Sequence, residues 1–429
     1  MDITEVINKC LFFLGGGFSK PAECKMSSEM LDDLRARIQN DSEKSLFNEI
    51  EKETLNFLLS CLSYHCEWRS IQSGGRFKFY PNLEELILLI RRIRDRENYL
   101  PYPVTGNWAD KLVQLETDFN SRAIKEGYEI NNLFSSIEFK IKKYLLKGWL
   151  EFDENKLSYL EPLKNFFQNY PAENFCFDIC SLNYDLVLDS YFSEVAPWLG
   201  FSNGKWVGLE SEPSTDTEKR RINLYKLHGS LNWLRNTAGD IWEKEKWEFQ
   251  KESHKIYEED QDLKNNPFVI FGQGSKTFSV EPFFSLIYHF RRLLQDKEYL
   301  FVIGYSFFDP YINNLLISAT FGTSKKIIIV NPNFGSSEIK KDTNDHFGKC
   351  QDSEYQQKLA EYIEEIQKNS FYSELPEFNV SRIKQDSLFY IPWKTEEFIE
   401  KYFSKEGNLL KELIEQFENE KKKVEQPFE

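Results

Sequence analysis

The chain has 429 residues, enough for two or three domains, and 41% of them are hydrophobic, with 37 Phe and 21 Tyr, so a sizeable core can form. A formal net charge of −15 excludes a general electrostatic attraction to nucleic acid, although a local basic patch remains compatible with it. No apolar run approaches the roughly 20 residues of a membrane span, and the short run at 11–14, preceded by acidic Asp2 and Glu5, makes no signal-peptide core.

In chain order, the first element is a strand over Cys10–Leu14 that breaks into Gly15-Gly16-Gly17-Phe18-Ser19. Consecutive glycines allow positive φ and close backbone approach, so their N–H groups can face a diphosphate. The Gly-x-Gly-x-x-Gly fingerprint is absent, and a plain glycine-rich turn is the competing reading. Residues 25–170 read as a helical block. Leu31, Leu34 and Ile38, then Phe47, Ile50, Leu55, Leu58 and Leu59, recur at helical spacing. Asn82 with Glu85 makes a capping-box-like start, Pro101 and Pro103 interrupt, and two more helices are expected over 107–125 and 129–148. Cys61, His65 and Cys66 lack a second pair of ligands and read as scaffold.

Residues 171–335 carry the chemistry. A strand at 175–180 gives way to Asn183-Tyr184-Asp185 and then a short helix. An amide and a carboxylate at such a handover can hold ribose hydroxyls, a water or a carboxamide. The plainer readings are a turn-forming Asn and a helix-start acid. The residues at 202–221 and 234–265 read as loops. Between them an apolar run at 222–227 ends at His228-Gly229-Ser230, and His228 is one of only five histidines. A side chain at the carboxyl end of a strand in an α/β sheet faces the crevice where ligands bind, and a histidine there can pass protons. Short strands follow at 269–271 and Tyr299–Ile303, with a helix between them at 282–294. The second of these strands breaks into Gly304-Tyr305-Ser306-Phe307-Phe308-Asp309 before a helix at 310–321. A strand at 327–330 ends in Asn331-Pro332. Gly304 allows close approach, and Ser306 can bond a phosphate or ribose. Repeated units of strand and polar turn predict an α/β, Rossmann-like parallel sheet whose strand ends line one site. Residues 336–429 read as an extension, helical near 354–368 and 395–422 with a strand at Leu388–Ile391. Its apolar stripe at 398–417 either packs on its own domain or forms a partner surface.

Together the glycine loop ending in Ser19, the Asn-Tyr-Asp turn, Lys226-Leu227-His228-Gly229-Ser230, the turn at 304–309 and Val330-Asn331-Pro332 resemble the sirtuin-like superfamily, within it the bacterial anti-phage branch that destroys NAD+. The resemblance covers the first 20 residues and about 170–335. It implies a catalytic domain over 1–24 and 171–335, a helical insertion over 25–170 and a C-terminal extension over 336–429. It also implies an NAD+ hydrolase cleaving the nicotinamide–ribose bond. Asn183 would position ribose or water, and His228 would take a proton, with Asp185 beside them. Gly15, Gly16, Gly17 and Ser19 would cradle the diphosphate. Gly304, Ser306 and Asn331 would serve the adenosine side, and Asp309 would also bind NAD+.

Two departures shape these expectations. The loop continues as Pro21-Ala22-Glu23-Cys24, without the arginine usual in sirtuins, and only Cys350 follows His228, so the zinc module of two Cys-x-x-Cys pairs is not encoded. No metal is expected, and NAD+ hydrolysis is favoured over protein deacylation. An NAD+ or ADP-ribose sensor, a scaffold, a zinc-free deacylase and an ADP-ribosyltransferase remain as alternatives. Seven cysteines without paired spacing suit a reducing cytosol, so the expected setting is cytoplasmic. Expected partners are a second copy of the chain, a HerA-type ATPase or short Argonaute, and a phage protein as trigger. Direct nucleic-acid binding is not expected.

Overall fold

The computed structural model describes residues 1–39, 46–72, 80–94, 107–126, 132–169, 176–192, 198–209, 221–235, 239–243, 267–270, 280–305, 309–320, 323–332, 381–384 and 388–425. Helix α1 (Ile3–Asn8) leads into β1 (Cys10–Leu14). The helical block holds α2 (Ser27–Gln39), α3 (Glu49–Gln72), α4 (Leu83–Arg94), α5 (Asn107–Glu126), α6 (Leu133–Lys140), α7 (Leu146–Leu150) and α8 (Glu161–Asn169), with a π turn joining α6 to α7. Then come β2 (Cys176–Ser181), α9 (Val187–Tyr191), β3 (Phe201–Ser202), β4 (Lys205–Trp206), β5 (Arg221–Lys226), β6 (Trp233–Arg235) and β7 (Ile241–Glu243). The chain continues as α10 (Phe283–Asp296), β8 (Tyr299–Ile303), α11 (Pro310–Thr320), β9 (Lys326–Val330), β10 (Ser381–Lys384), β11 (Leu388–Ile391), α12 (Thr395–Phe403) and α13 (Asn408–Glu425).

The main sheet has seven strands in the order β10-β11-β9-β8-β1-β2-β5, all parallel except β10. Strands buried on both faces read as unbroken apolar runs, and β1, β8 and β9 are buried at every position. On one face Phe12 stacks on Phe177 at 4.5 Å and on Phe301 at 5.2 Å, and Phe403 from α12 closes over them. The helical block and α13 share this core. On the other face Leu11, Phe13, Leu300 and Val302 pack with Leu286 and Phe290 of α10 and Ile312 and Leu316 of α11. Helices on both faces of a parallel sheet make the fold Rossmann-like, as expected.

Two expectations change, and the open alternative for the stripe is decided in favour of packing. The strand at Leu388–Ile391 lies in the main sheet beside β9, so the expected extension supplies two strands of it. The stripe at 398–417 is spent on that sheet: Phe398, Tyr402, Leu410, Leu413, Ile414 and Phe417 are completely buried, which removes it as a partner surface. The stretches read as loops contain a second, four-stranded antiparallel sheet, β3-β4-β7-β6. Its strands are only two or three residues long and are held by aromatic packing of Trp233 with Phe201 and Trp206. The expected helix near 354–368 and most of the two loops lie outside the described residues.

Candidate active site at the carboxyl edge of the sheet

Register aligns the strand ends. Leu14 lies opposite both Ser181 and Ile303, Ser181 opposite Lys226, and Ile303 opposite Val330. The turns bearing the glycine loop, Asn183, His228, Gly304 and Asn331 therefore emerge in one row. The strand order reverses between β1 and β8, since β2 and β5 extend one way from β1 while β8 and β9 extend the other. Such a switch point is where open α/β sheets bind ligands.

The glycine loop meets Gly304 at that point. Gly15 N–H donates to the Ile303 carbonyl at 2.9 Å and Gly17 N–H to the Gly304 carbonyl at 2.8 Å. A Cβ on Gly15 would lie 2.6 Å from Tyr305 Cα, and one on Gly17 would lie 2.8 Å from Gly304 Cα. Gly304 itself has φ +62°. The loop glycines are thus needed for close approach, while the left-handed backbone is on the partner strand's turn. The loop folds as a single 3₁₀ turn, with Phe18 N–H on the Gly15 carbonyl and Ser19 N–H on the Gly16 carbonyl. Among the described residues, Gly16 N–H meets no acceptor, and Gly16 is exposed. Of the N–H groups expected to face a diphosphate, this is the one left open. Thr395 at the start of α12 donates its hydroxyl to the Gly17 carbonyl at 3.1 Å, so the C-terminal part of the chain also braces the loop.

Asn183 leans on the same loop. Its Nδ2 donates to the Gly15 carbonyl at 3.0 Å and to Ser19 Oγ at 3.1 Å. With both amide protons used inward, the half-buried side chain turns Oδ1 outward as an acceptor. Asp185 is buried; its Oδ1 accepts from Val187 N–H at 3.1 Å, and Ser19 bonds its carboxyl. Burial pushes the Asp185 carboxyl above the usual range, against the pull of Lys226 and of the Ser19 hydrogen bond.

Lys226 is the hub between two turns. Its ammonium, 2% exposed, donates to the Asp185 carbonyl at 2.6 Å, Asp189 Oδ2 at 2.8 Å and Ser230 Oγ at 2.8 Å. Next along the chain, His228 is buried, with Tyr184 stacked at a ring distance of 6.2 Å. Its Nε2 lies 3.4 Å from Asp309 Oδ2. Gly229 turns the chain with φ +84°, where a Cβ would meet the Phe268 carbonyl at 2.3 Å. Asn331 is half-buried; its N–H bonds the Ile391 carbonyl, and its carbonyl accepts from Tyr390 OH at 2.6 Å. Ser306 and Cys350 lie outside the described residues.

Sequence reasoning gave no role to Lys226, although a charged residue closing an apolar strand is itself a signal of a buried partner. It also left Glu243 unmarked. That carboxyl is pushed up to about 7, first by burial and then by Asp189, and it accepts from Asn232 Nδ2 at 3.2 Å. Nothing in the local sequence announces this pair, which depends on the small sheet.

Residues 178–347 match the family model of the SIR2-like domain. The matched segment covers 170 of the 429 residues. It takes in Asn183, Asp185, His228, Gly304, Asp309 and Asn331; β1 and the glycine loop fall outside the match. No curated protein matches the chain. Among solved structures, a Sir2 homologue mutant in complex with 2′-O-acetyl ADP ribose is 12% identical and aligns over 97% of this chain and 98% of its own, with a TM-score of 0.36. A structure addressing the mechanism and regulation of Sir2 enzymes is 12% identical over 96% and 97%, with a TM-score of 0.34. A Sir2 complex with p53 peptide and NAD+ is 10% identical over 93% and 95%, with a TM-score of 0.35. These likenesses are distant, and the fold assignment rests on the strand order itself. Among the described residues, no three His, Cys, Asp or Glu side chains gather where they could hold a metal ion, and no helix is long and apolar enough to cross a membrane.

Proposed function

We propose that the chain is an NAD+ glycohydrolase that cleaves the bond between nicotinamide and ribose. The observation that carries this reading is the row of parallel strand ends, which sets the turns of Asn183 and His228 in line with a glycine loop in a chain with a SIR2-like match. In the proposed reaction the C1′–N bond breaks and its electron pair leaves with nicotinamide. The ring departs neutral, so no strong acid is required. The ribose becomes an oxocarbenium-like centre, and water adds at C1′ to give ADP-ribose. Asn183 Oδ1 accepts an O–H of that water and aims it, and His228 takes the proton the water loses and passes it to solvent. Gly16 N–H, framed by Gly15, Gly17 and Ser19, meets the diphosphate. Gly304, Ser306 and Asn331 take the adenosine side. Asp185 acts through Ser19, keeping the Asn183 turn in register with the loop.

As a cellular role we propose NAD+ depletion in anti-phage defence. Such an activity harms its host unless restrained. That supports control by self-association or by a partner such as a HerA-type ATPase or a short Argonaute, released by a phage component.

The test is nicotinamide release from NAD+ by the purified full chain. His228→Ala is expected to lower turnover by about 10²–10⁴-fold, the usual worth of one general base, with the fold intact by circular dichroism. A folded His228→Ala protein with wild-type turnover removes His228 from the chemistry. A wild-type chain that binds NAD+ but releases no nicotinamide, with or without partner, makes the site a sensor.

A further inference from the structure

Asp309 stands between two jobs. Its Oδ1 accepts from Tyr311 N–H at 3.0 Å and so caps α11. Ser, Thr or Asn would cap a helix as well, and one oxygen suffices for it. The second oxygen, Oδ2, points to His228 Nε2 at 3.4 Å, and the two side chains are 6% and 5% exposed. A buried carboxylate is costly unless a donor or a positive charge answers it. Tyr305 fixes the carboxylate's place from behind: its hydroxyl bonds Asn313 Oδ1 at 2.9 Å and accepts the Asp309 N–H at 3.2 Å. The aspartate is therefore held at its backbone N–H and at Oδ1, with Oδ2 beside the imidazole.

We infer that Asp309 is the positioning residue for His228, holding Nε2 as the N–H and making Nδ1 the nitrogen that takes the proton. The inference rests on the hydrolase reading for its catalytic meaning, but the pairing itself does not. It moves Asp309 from the expected NAD+-binding set to the proton-transfer side of the site. A carboxylate that orients an imidazole fixes its tautomer and stabilises the imidazolium that forms on proton uptake. Other charged and titratable groups face the pair. Tyr184 stacks on the imidazole, and the Tyr305 hydroxyl bonds the Asp309 backbone. Lys226 lies two residues back and is turned to Asp185, Asp189 and Ser230. From α4, Glu84 and Arg91 act on Tyr184, and Arg91 is bound by Glu138. None of these replaces the Asp309 oxygen beside Nε2.

Asp309→Asn is the discriminating variant. It keeps an oxygen for the Tyr311 N–H, but it can turn an NH₂ toward Nε2 and so favour the opposite tautomer. The measurement is nitrogen-15 and carbon-13 histidine NMR on the full chain. With five histidines the spectrum is small, and His228→Ala assigns the signal of interest. In the wild type, His228 is expected as the Nε2–H tautomer. In Asp309→Asn that tautomer is expected to be lost and the titration midpoint to fall by about one pH unit or more, as expected when an opposite charge at this range is removed. Turnover should fall by about 10²–10⁴-fold, as expected for a wrongly held tautomer, while KM for NAD+ changes by less than about threefold because the diphosphate loop is untouched. An unchanged tautomer and midpoint in Asp309→Asn overturns the inference whatever the activity. If Asp309→Asn does not fold, the wild-type spectrum decides alone: an Nδ1–H tautomer with a midpoint below the ordinary 6.5 or so overturns it. The expected NMR change in a chain that never releases nicotinamide leaves the pairing standing and removes the hydrolase reading instead.

Discussion

The two edges of the main sheet are built from the same side chains and do different things. At the amino edge, Asp178 of β2 receives Asn223 Nδ2 at 2.8 Å, Tyr225 OH at 3.2 Å and Lys297 Nζ at 2.6 Å, so both carboxylate oxygens are occupied. At the carboxyl edge, Asn183 turns a carbonyl outward, Gly16 offers an N–H, and Asp309 gives one oxygen to an imidazole. A buried polar cluster is therefore no marker of function by itself. What separates the edges is whether a leftover donor or acceptor can be reached: Asn223 Oδ1 at the amino edge is buried with no partner among the described residues, whereas Gly16 is exposed. Strand direction decides where that surplus can be reached, since the turns after parallel strands all open on one side.

The largest expected effect tests whether the edges are separable. Asp178→Ala leaves the Lys297 ammonium without its buried carboxylate and should cost about 3–5 kcal/mol in urea unfolding. Nicotinamide release per folded molecule should stay near wild type, the reverse of His228→Ala. Equal loss of turnover in both variants would mean that the amino edge is part of the site. A smaller effect concerns pH. Glu243 has a folded pKa of about 7 against an ordinary 4.5, so it holds its proton in the folded state after the unfolded chain has released one. Its contribution to stability should therefore be full below about pH 4.5 and fall by about 2 kcal/mol as pH rises to 7, allowing for its partial exposure. Glu243→Gln should flatten that slope between pH 5 and 8; an unchanged slope would place the titration elsewhere. The smallest effect probes the surplus N–H. Gly15→Ala puts a methyl against the Tyr305 backbone and should shift the loop. KM for NAD+ should rise about tenfold with turnover nearly kept, the mark of lost ground-state binding. A fall in turnover at unchanged KM would detach the loop from binding.

Much of this was legible before folding, for a physical reason. Strands buried on both faces must be apolar throughout, and the turns that follow must be polar or glycine-rich, so β1, β8 and β11 could be read from the sequence to the residue. The same breaks exposed Asn183, His228 and Gly304. What could not be read depends on pairing across distance. Leu388–Ile391 shows itself as a strand, but nothing local says that its neighbour is β9. Strands of two or three residues carry no period, so β3, β4, β6 and β7 passed as loop. His228 and Asp309 are each visible, yet their meeting is a product of the strand order. The stripe at 398–417 was visible as a helical face, but sequence alone does not say what covers it.

The seating of β11 and Thr395 also bears on the order in which the protein forms. β1 pairs with β8, nearly 300 residues later, β9 pairs with β11, and the glycine loop takes its last brace from residue 395. Contacts of such long range close late, because chain entropy must be overcome before they contribute. On a ribosome, Asn183, His228 and Asp309 are all made well before the segment that finishes the sheet beneath them. A growing chain thus carries these side chains without the scaffold that aligns them, and the loop gains its Thr395 brace only once α12 has docked.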